Sequence, residues 1–180
     1  QKYLLFFGFI RNYKGLDILI EAMADSRIKK AGIKLIVAGE FYGDASPYHQ
    51  LIEKSGNSES IILHTDYIAD DEVKYFFSAA DLIVQPYKSA TQSGISQLAY
   101  HFEKPMVVTN VGGLPEIVHH LKTGYVVEVN HQAIADAIID FFEKNNSLSF
   151  APYLKEEKKK YSWNNLILNI MNLATANESE

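Results

Sequence analysis

Two segments of the sequence place anion-binding groups directly after apolar runs. Residues 8–15, Gly-Phe-Ile-Arg-Asn-Tyr-Lys-Gly, carry Arg11 and Lys14 between a strand-like run and a helical pattern. An arginine can hold a phosphate through two parallel hydrogen bonds, whereas a lysine acts as a mobile point charge. The pair predicts a phosphate-binding loop, and two solvated surface cations are the alternative that the spacing leaves open.

The second segment, residues 89–98, reads Ser-Ala-Thr-Gln-Ser-Gly-Ile-Ser-Gln-Leu and opens a helical pattern with small polar residues. The first turn of a helix has unpaired N–H groups and about half a positive charge, so small residues there let an anion come close. We expect Gly94 to allow a tight turn, and Thr91 and Ser93 to add hydroxyl donors. The alternative is that Thr91 or Ser93 only caps the helix.

The hydrophobic pattern predicts the elements that position these segments. Continuous apolar runs without alternation are typical of strands buried on both faces, and each run here is followed by a turn and a helical pattern. The expected strands are residues 3–7, 33–38, 61–64, 82–85, 106–109 and 125–129. They predict one α/β domain, a doubly wound, Rossmann-like parallel sheet with helices on both faces.

Both segments follow strands, and in such sheets ligands bind beyond the carboxyl ends of the strands. We therefore expect Arg11 and Lys14 to lie near the helix that begins around Gly94. A diphosphate fits between the two cations and the first turn of that helix. The pattern predicts a nucleoside diphosphate site.

Composition and motifs exclude several other functions. The chain has 180 residues, a net charge of -5 and no cysteine, so it has no general attraction to nucleic acid and no disulfide or thiolate metal site. No Gly-x-Gly-x-x-Gly or Gly-Lys-Ser/Thr motif follows a strand. The run Gln92-Ser93-Gly94 lacks the first glycine of a serine hydrolase elbow.

Titratable side chains show no metal-ligand spacing. The six histidines are scattered or adjacent, and carboxylates favour helix starts, so we expect Asp70 and Asp71 to cap the helix that carries Val73. We therefore expect no metal and no other cofactor. A loop over residues 145–147 should precede a lysine-rich helix, which is typical of a solvated face, with a membrane-surface role as the alternative.

The beginning of the chain resembles a core strand. It lacks the layout of a signal peptide, and no apolar run approaches the roughly 18–20 residues that span a bilayer. Because a full-length protein rarely starts inside its first strand, we expect an excised domain of a cytoplasmic protein.

A series of short motifs occurs in order over residues 3–174. They are Phe6-Phe7-Gly8, Lys14-Gly15-Leu16-Asp17, Leu19-Ile20-Glu21-Ala22, Ala80-Asp81-Leu82 with Pro86, Lys104-Pro105-Met106-Val107-Val108, Val111-Gly112-Gly113-Leu114-Pro115-Glu116 and Thr123-Gly124. Together they resemble the carboxy-terminal half of a GT-B glycosyltransferase of the GT4 group.

The resemblance implies two facing Rossmann-like domains, of which residues 1–180 form the one that holds a nucleoside diphosphate sugar. The acceptor, a glycan or lipid-linked glycan of polysaccharide biosynthesis, binds to an amino-terminal domain that is absent here. Trp163 resembles the start of the family's final helix. Retention at the anomeric carbon and a full-length enzyme at the inner face of the membrane are further implications. The fragment alone should be inactive, since domain closure completes such sites.

The resemblance also assigns the donor site. Lys14, beside Gly8, matches the diphosphate-binding lysine, and Arg11 substitutes for an arginine that usually stands at the position of Phe9. The residues around Tyr67 and Ile68 match the segment that meets the nucleobase. The loop and helix start that meet the diphosphate and the sugar correspond to Thr91, Gln92, Ser93, Gly94 and Ile95.

One departure concerns two glutamates that the family commonly has eight residues apart. Ala90 and Leu98 occupy these positions, and no acidic residue occurs from Ala90 to Phe102. The ribose must then be held otherwise, by Gln97 or by none of these residues. Two alternatives stay open: a nucleotide-sugar epimerase of similar architecture, and a degenerate donor-binding or scaffold domain.

Overall fold

The computed structural model describes residues 1–160 of the chain. Strands alternate with helices throughout this part. The strands are β1 (Lys2–Phe7), β2 (Ile33–Ala38), β3 (Ile61–His64), β4 (Leu82–Gln85), β5 (Met106–Thr109) and β6 (Gly124–Val127). The helices are α1 (Leu16–Met23), α2 (Ser26–Lys30), α3 (Ser46–Lys54), α4 (Val73–Ala79), α5 (Gly94–His101), α6 (Leu114–Ile117), α7 (His131–Glu143) and α8 (Asn146–Lys160). The predicted helix start at Trp163 lies outside the described residues.

The six strands form a single parallel sheet in the order β3-β2-β1-β4-β5-β6. The chain first builds outward from β1 to β3 and then returns to the other side of β1. Right-handed crossovers in these two directions put their helices on opposite faces. The predicted doubly wound α/β fold is confirmed.

The burial of the strands explains their composition. All four residues of β4 and of β5 are buried, as are the three central residues of β1. Helix α1 packs against α3 and α7, whereas α5 packs against α8. A strand covered on both faces has no side that favours polar residues, so its sequence is continuously apolar.

Helix α5 is fixed to the sheet by polar groups inside the core. Ser96, in its first turn, exchanges hydrogen bonds with Gln85 at the end of β4, with distances of 3.1 and 3.3 Å. Near its end, the Tyr100 hydroxyl donates to the carbonyl of Ile117 at 2.6 Å. The start of α5 is therefore held beside the carboxyl end of β4.

The structure corrects the predicted bounds of two elements. Strand β6 ends at Val127 rather than at residue 129, because the Asn130 amide donates to Glu128 O at 2.8 Å and turns the chain into α7. Helix α8 begins at Asn146, so the loop predicted over residues 145–147 is shorter. Asn145 makes this short connection with a left-handed backbone, φ +52°.

The expected cap of helix α4 is also wrong. The helix begins at Val73, with Glu72 as the residue before it, and Asp70 and Asp71 lie in the preceding turn. The Glu72 carboxylate accepts from the Ala69 amide at 3.1 Å. The turn brings the carboxylate of Glu72 within reach of the Ala69 amide. Because α4 begins only at Val73, Asp70 and Asp71 are too far before its first residue to cap it.

Candidate functional site

The candidate site lies where the order of the sheet reverses. Strands β1 and β4 are parallel neighbours. The connection after β1 runs to β2 on one side of this pair, and the connection after β4 runs to β5 on the other side. Connections that diverge in this way leave a crevice at the carboxyl ends of the two strands, the usual ligand position in such folds. Residues 8–15, the first loop, and residues 86–93, the β4–α5 loop, form the two sides of this crevice.

The two loops are in direct contact. A short 3₁₀ turn, Asn12–Lys14, ends the first loop at Gly15, whose φ is +71°. A Cβ atom on Gly15 would lie 1.9 Å from Pro86 O, so only glycine fits. One hydrogen bond joins the loops farther out, from the Lys88 amide to Tyr13 O at 2.7 Å.

Lys14 points its ammonium group into this junction. Its Nζ lies 3.0 Å from the point that a Cβ atom on Gly8 would occupy and 5.9 Å from the centroid of the Tyr87 ring. The residue is only 8% exposed. Burial, together with the nearby charge of Arg11, lowers the pKa of Lys14 to about 8.

No carboxylate within residues 1–160 pairs with the Lys14 ammonium. A buried cation without a counterion is costly, and removal of one partner from such a pair usually destabilises a protein. An anion that reached this ammonium would relieve that cost. The surroundings of Lys14 therefore suit a negatively charged ligand.

Helix α5 begins at the same place. The Cδ1 atom of Ile95 lies 3.5 Å from the same Cβ position of Gly8. Ser93 is the residue before the helix, and its hydroxyl lies 3.3 Å from that of Tyr87 instead of capping the helix. The Ser96 amide donates to Ser93 O at 3.1 Å, whereas the amides of Gly94 and Ile95 have no acceptor inside the helix and are open to an anion.

Gly94 is not needed for a tight turn, which corrects that prediction. Its φ lies outside the left-handed region, and a Cβ atom on it would meet no atom within 4 Å. The chain has already turned before it, in the β4–α5 loop. What Gly94 contributes is open space beside the helix start.

The loop after β5, residues 110–113, packs against the β4–α5 loop. The Gly113 amide donates to Thr91 O at 3.0 Å, and a Cβ atom on Gly112 would lie 1.7 Å from Ala90 O. The side chains of Thr91 and Gln92 are exposed. The backbone of the loop is thus fixed while these two side chains face solvent.

Arg11 occupies a different position from Lys14. Its guanidinium carbon lies 4.3 Å from the centroid of the exposed Tyr42 ring, a stacking arrangement that suits a planar cation in solvent. Its charge still reaches Lys14, whose pKa it lowers. The structure brings Lys14 to the start of α5 and leaves Arg11 on Tyr42. Phe9, the position to which the family resemblance assigns an arginine, is 55% exposed.

A cleft of about 320 Å³ continues from Gly8 toward β3. Its lining residues are Phe7, Gly8, Phe9, Gly39, Glu40, Tyr67, Ile68, Asp70, Val73 and Leu98. The expected nucleobase residues Tyr67 and Ile68 therefore share one cleft with the expected donor-binding residue Gly8. A mostly apolar lining with a few polar groups is typical of a small-molecule site.

None of the expected site residues lies in the loop after β2, which also lines this cleft. A Cβ atom on Gly39, whose φ is +138°, would lie 2.5 Å from Gly8 O, so the two backbones touch. The next residue, Glu40, lines the cleft. The available signal was the Gly-Glu pair directly after a buried strand.

The remaining candidates do not form sites. In the described part of the chain no group of three or more His, Asp or Glu side chains is arranged to hold a metal ion. Among the described residues, no helix is long and apolar enough to span a bilayer. On α8, Lys158 pairs with Glu103 at 2.9 Å and Lys159 with Glu156 at 3.0 Å, as expected of a solvated helix face.

Comparison with known proteins gives a consistent result. Residues 1–161 match the family model described as "Glycosyl transferases group 1". The D-inositol 3-phosphate glycosyltransferase of Pseudarthrobacter chlorophenolicus is 29% identical over 133 residues, which cover 73% of this chain and 32% of that protein. The chain spans less than half the length of the first curated relatives that it matches.

Solved structures share the fold. The C-terminal domain of LpcC, a glycosyl transferase group 1 family protein of Francisella tularensis, has a TM-score of 0.80 at 22% identity, covering 90% of this chain and 87% of that one. Anabaena HepE, solved in complex with UDP, has a TM-score of 0.79 at 18% identity, covering 97% of this chain and 49% of that one. At these identities the likeness shows the fold alone.

Proposed function

The chain belongs to the glycosyl transferases group 1 family, and from this premise we propose that it is the donor-binding, carboxy-terminal domain of a GT4-type glycosyltransferase. It binds a nucleoside diphosphate sugar, whose hexose is transferred to an acceptor glycan or lipid-linked glycan. The relatives named above are glycosyltransferases, which favours sugar transfer over the epimerase and scaffold alternatives.

A single observation carries the proposal: the buried ammonium of Lys14 and the first turn of α5 meet at Gly8. Both present positive charge, one as a full cation and the other as unpaired N–H groups. The adjoining apolar cleft passes Glu40 and reaches Tyr67 and Ile68. A diphosphate at the junction and a nucleoside in the cleft match this distribution of charge and surface.

The same groups account for the chemistry. When the bond from the anomeric carbon to the diphosphate breaks, negative charge grows on the departing diphosphate. Lys14 and the N–H groups of α5 are already oriented toward that charge, and each well-placed donor lowers the barrier by about 3 kcal/mol. Arg11 adds a second cation when it leaves the Tyr42 ring. Thr91, Gln92, Ser93 and Ile95 surround the position of the sugar.

We further propose that the acceptor is held by a separate amino-terminal domain. The 180-residue chain alone then does not catalyse transfer. The small share of the relatives' length that the chain spans supports this. Closure of two domains excludes water and brings donor and acceptor together. The full-length enzyme would then act in the cytoplasm, at the inner face of the membrane when its acceptor is lipid-linked.

Calorimetric titration of the 180-residue chain with UDP and with GDP tests donor binding. We expect one of the two to bind with a 1:1 stoichiometry, and Lys14→Met to weaken that binding about 10- to 100-fold. Lys104→Met is the control, because Lys104 is half-buried elsewhere and donates to Ser78 O at 3.3 Å. Absence of binding by either nucleotide would favour the scaffold alternative.

Two finer parts of the proposal rest on the family resemblance. We propose transfer with retention, which the anomeric proton coupling of the first-formed product tests in the full-length enzyme. We also propose that no metal is required, since Lys14, Arg11 and α5 supply the positive charge. Loss of transfer in excess EDTA, restored by Mg²⁺ or Mn²⁺, would contradict the second point.

A further inference from the structure

The cleft needs a partner for the sugar hydroxyls of a nucleoside, and this inference rests on the donor site proposed above. A ribose presents two neighbouring hydroxyl groups, and burying them without hydrogen bonds is costly. Helix α5 offers only the apolar side chain of Leu98 to the cleft. Two acidic residues line it, Glu40 after β2 and Asp70 after β3.

The strand order separates these two candidates. The expected nucleobase residues Tyr67 and Ile68 follow β3, and the expected diphosphate residue Lys14 follows β1. Strand β2 lies between β3 and β1. Since neighbouring strands are about 4.8 Å apart, a nucleotide lying across these three strand ends has its base at β3, its ribose at β2 and its diphosphate at β1.

The backbone of Glu40 is tied to the first loop. The Ile10 amide donates to Glu40 O at 2.8 Å, and the Tyr42 amide donates back to Ile10 O at 2.9 Å. Gly39 touches Gly8, because its missing side chain leaves room for Gly8 O. Glu40 is therefore held one residue away from the contact between the β2 loop and the first loop.

The carboxylate of Glu40 is also available. Glu40 is half-buried, and within residues 1–160 its carboxylate makes no hydrogen bond or ion pair. An ionised carboxylate can accept from two neighbouring hydroxyls at once. Rossmann-type folds recognise ribose through an acidic side chain in this way.

We propose that Glu40 binds the ribose hydroxyls of the nucleoside diphosphate and so makes the site selective for ribonucleotides. Asp70 follows β3, with the base, and does not contribute to that selectivity. The selectivity arises from the loop after β2, and α5 contributes only apolar contact through Leu98.

The test compares ribose and deoxyribose ligands on the 180-residue chain by calorimetry. The probes are UDP and GDP with their 2′-deoxy and 3′-deoxy forms. In the unaltered chain we expect each deoxy form to bind at least about tenfold more weakly, the value of a hydrogen bond to a charged acceptor. In Glu40→Gln the ribose form should weaken by a similar factor, and the difference between the forms should shrink to about twofold or less.

Asp70→Asn is the matched control and should keep the full preference for ribose. Thermal unfolding of both variants checks that the fold is retained, and Glu40→Asp should recover part of the preference. Equal binding of ribose and deoxyribose forms by the unaltered chain overturns the assignment, as does loss of the preference in Asp70→Asn. Failure of UDP and GDP to bind at all overturns the donor site itself, a result distinguishable from binding without preference.

Discussion

The ammonium of Lys14 lies 3.0 Å from the point that a Cβ atom on Gly8 would occupy. The absence of a side chain at residue 8 is therefore what lets a nearly buried lysine reach the junction of the first loop and α5. The two residues act as a unit, with one supplying charge and the other the space for it.

Replacement of Gly8 tests that unit. In Gly8→Ala the new methyl group meets Lys14 Nζ, and φ +91° strains any residue with a side chain. We expect nucleotide affinity to fall at least about tenfold, measured by calorimetry. Gly32→Ala is the control, since its φ is +64° but a methyl group there meets no atom within 4 Å. Equal affinity in the two variants would show that the space beside Lys14 is unimportant.

Lys14→Met separates binding from stability. Methionine fills a similar volume without a charge, so the cost of burying an unpaired ammonium disappears. We expect the melting temperature to stay the same or rise, while nucleotide affinity falls about 10- to 100-fold. A marked loss of thermal stability with unchanged affinity would indicate a structural lysine instead.

The pH dependence of binding has a definite direction. The pKa of Lys14 is about 8 in the free protein, and a bound diphosphate raises it, because the anion favours the charged form. Affinity should therefore be greatest below pH 8 and decline as the pH rises from 8 to 9.5. Calorimetry in two buffers of different ionisation enthalpy should detect proton uptake near pH 8, and Lys14→Met should show none.

The same pKa predicts the opposite trend for the free protein. Between about pH 8 and the ordinary pKa of 10.5, the unfolded chain binds the lysine proton and the folded chain has released it. Stability therefore rises with pH across this window. Urea unfolding at pH 7.5 and 9.5 measures the contribution, as the difference between the unaltered chain and Lys14→Met.

Gly15→Ala tests the contact between the two loops. Its methyl group would lie 1.9 Å from Pro86 O, so the first loop and the β4–α5 loop must separate. We expect a loss of about 2–4 kcal/mol in the free energy of unfolding, together with weaker nucleotide binding. Gly56→Ala, with φ +61° and open space, should lose only about 1 kcal/mol. Chemical denaturation measures both.

Arg11 should contribute less than Lys14. Its guanidinium is exposed on Tyr42, where solvent screens its charge. We expect Arg11→Gln to lower nucleotide affinity about three- to tenfold and to weaken its dependence on salt. Arg27→Gln is the control. Arg27 precedes β2, so it lies near the amino ends of the strands, where it pairs with Asp136. No change in Arg11→Gln would remove Arg11 from the donor site.

The sheet was predictable because its information is local. Four of the six expected strands match the observed bounds, since continuous apolar runs have no other stable place than a covered sheet. The errors occur where the backbone conformation of one or two residues determines where a helix begins. The left-handed backbone of Asn145 lets α8 begin directly after it, so the predicted loop is shorter. The turn that begins near Ala69 delays the start of α4 to Val73.

The site was predictable only in part. Lys14 and the start of α5 follow from residue type and from the rule that ligands bind at carboxyl strand ends. Sequence does not reveal which backbones touch, so the contacts of Gly15 with Pro86 and of Gly39 with Gly8 appear only in three dimensions. The Tyr42 ring that stacks on Arg11 belongs to a loop about 30 residues away in the sequence, so this contact could not be predicted either.

The support of residues 90 and 91 by Gly112 and Gly113 has a consequence for engineering. A segment transplanted from another enzyme into positions 88–93, with the aim of changing sugar preference, would arrive with its own carbonyl positions. Because two of those carbonyls lie against the paired glycines, the graft keeps its shape only if the 110–115 segment of the same enzyme is transplanted with it. Under the proposed function, sugar preference would therefore be transferred only when both chain segments are exchanged together.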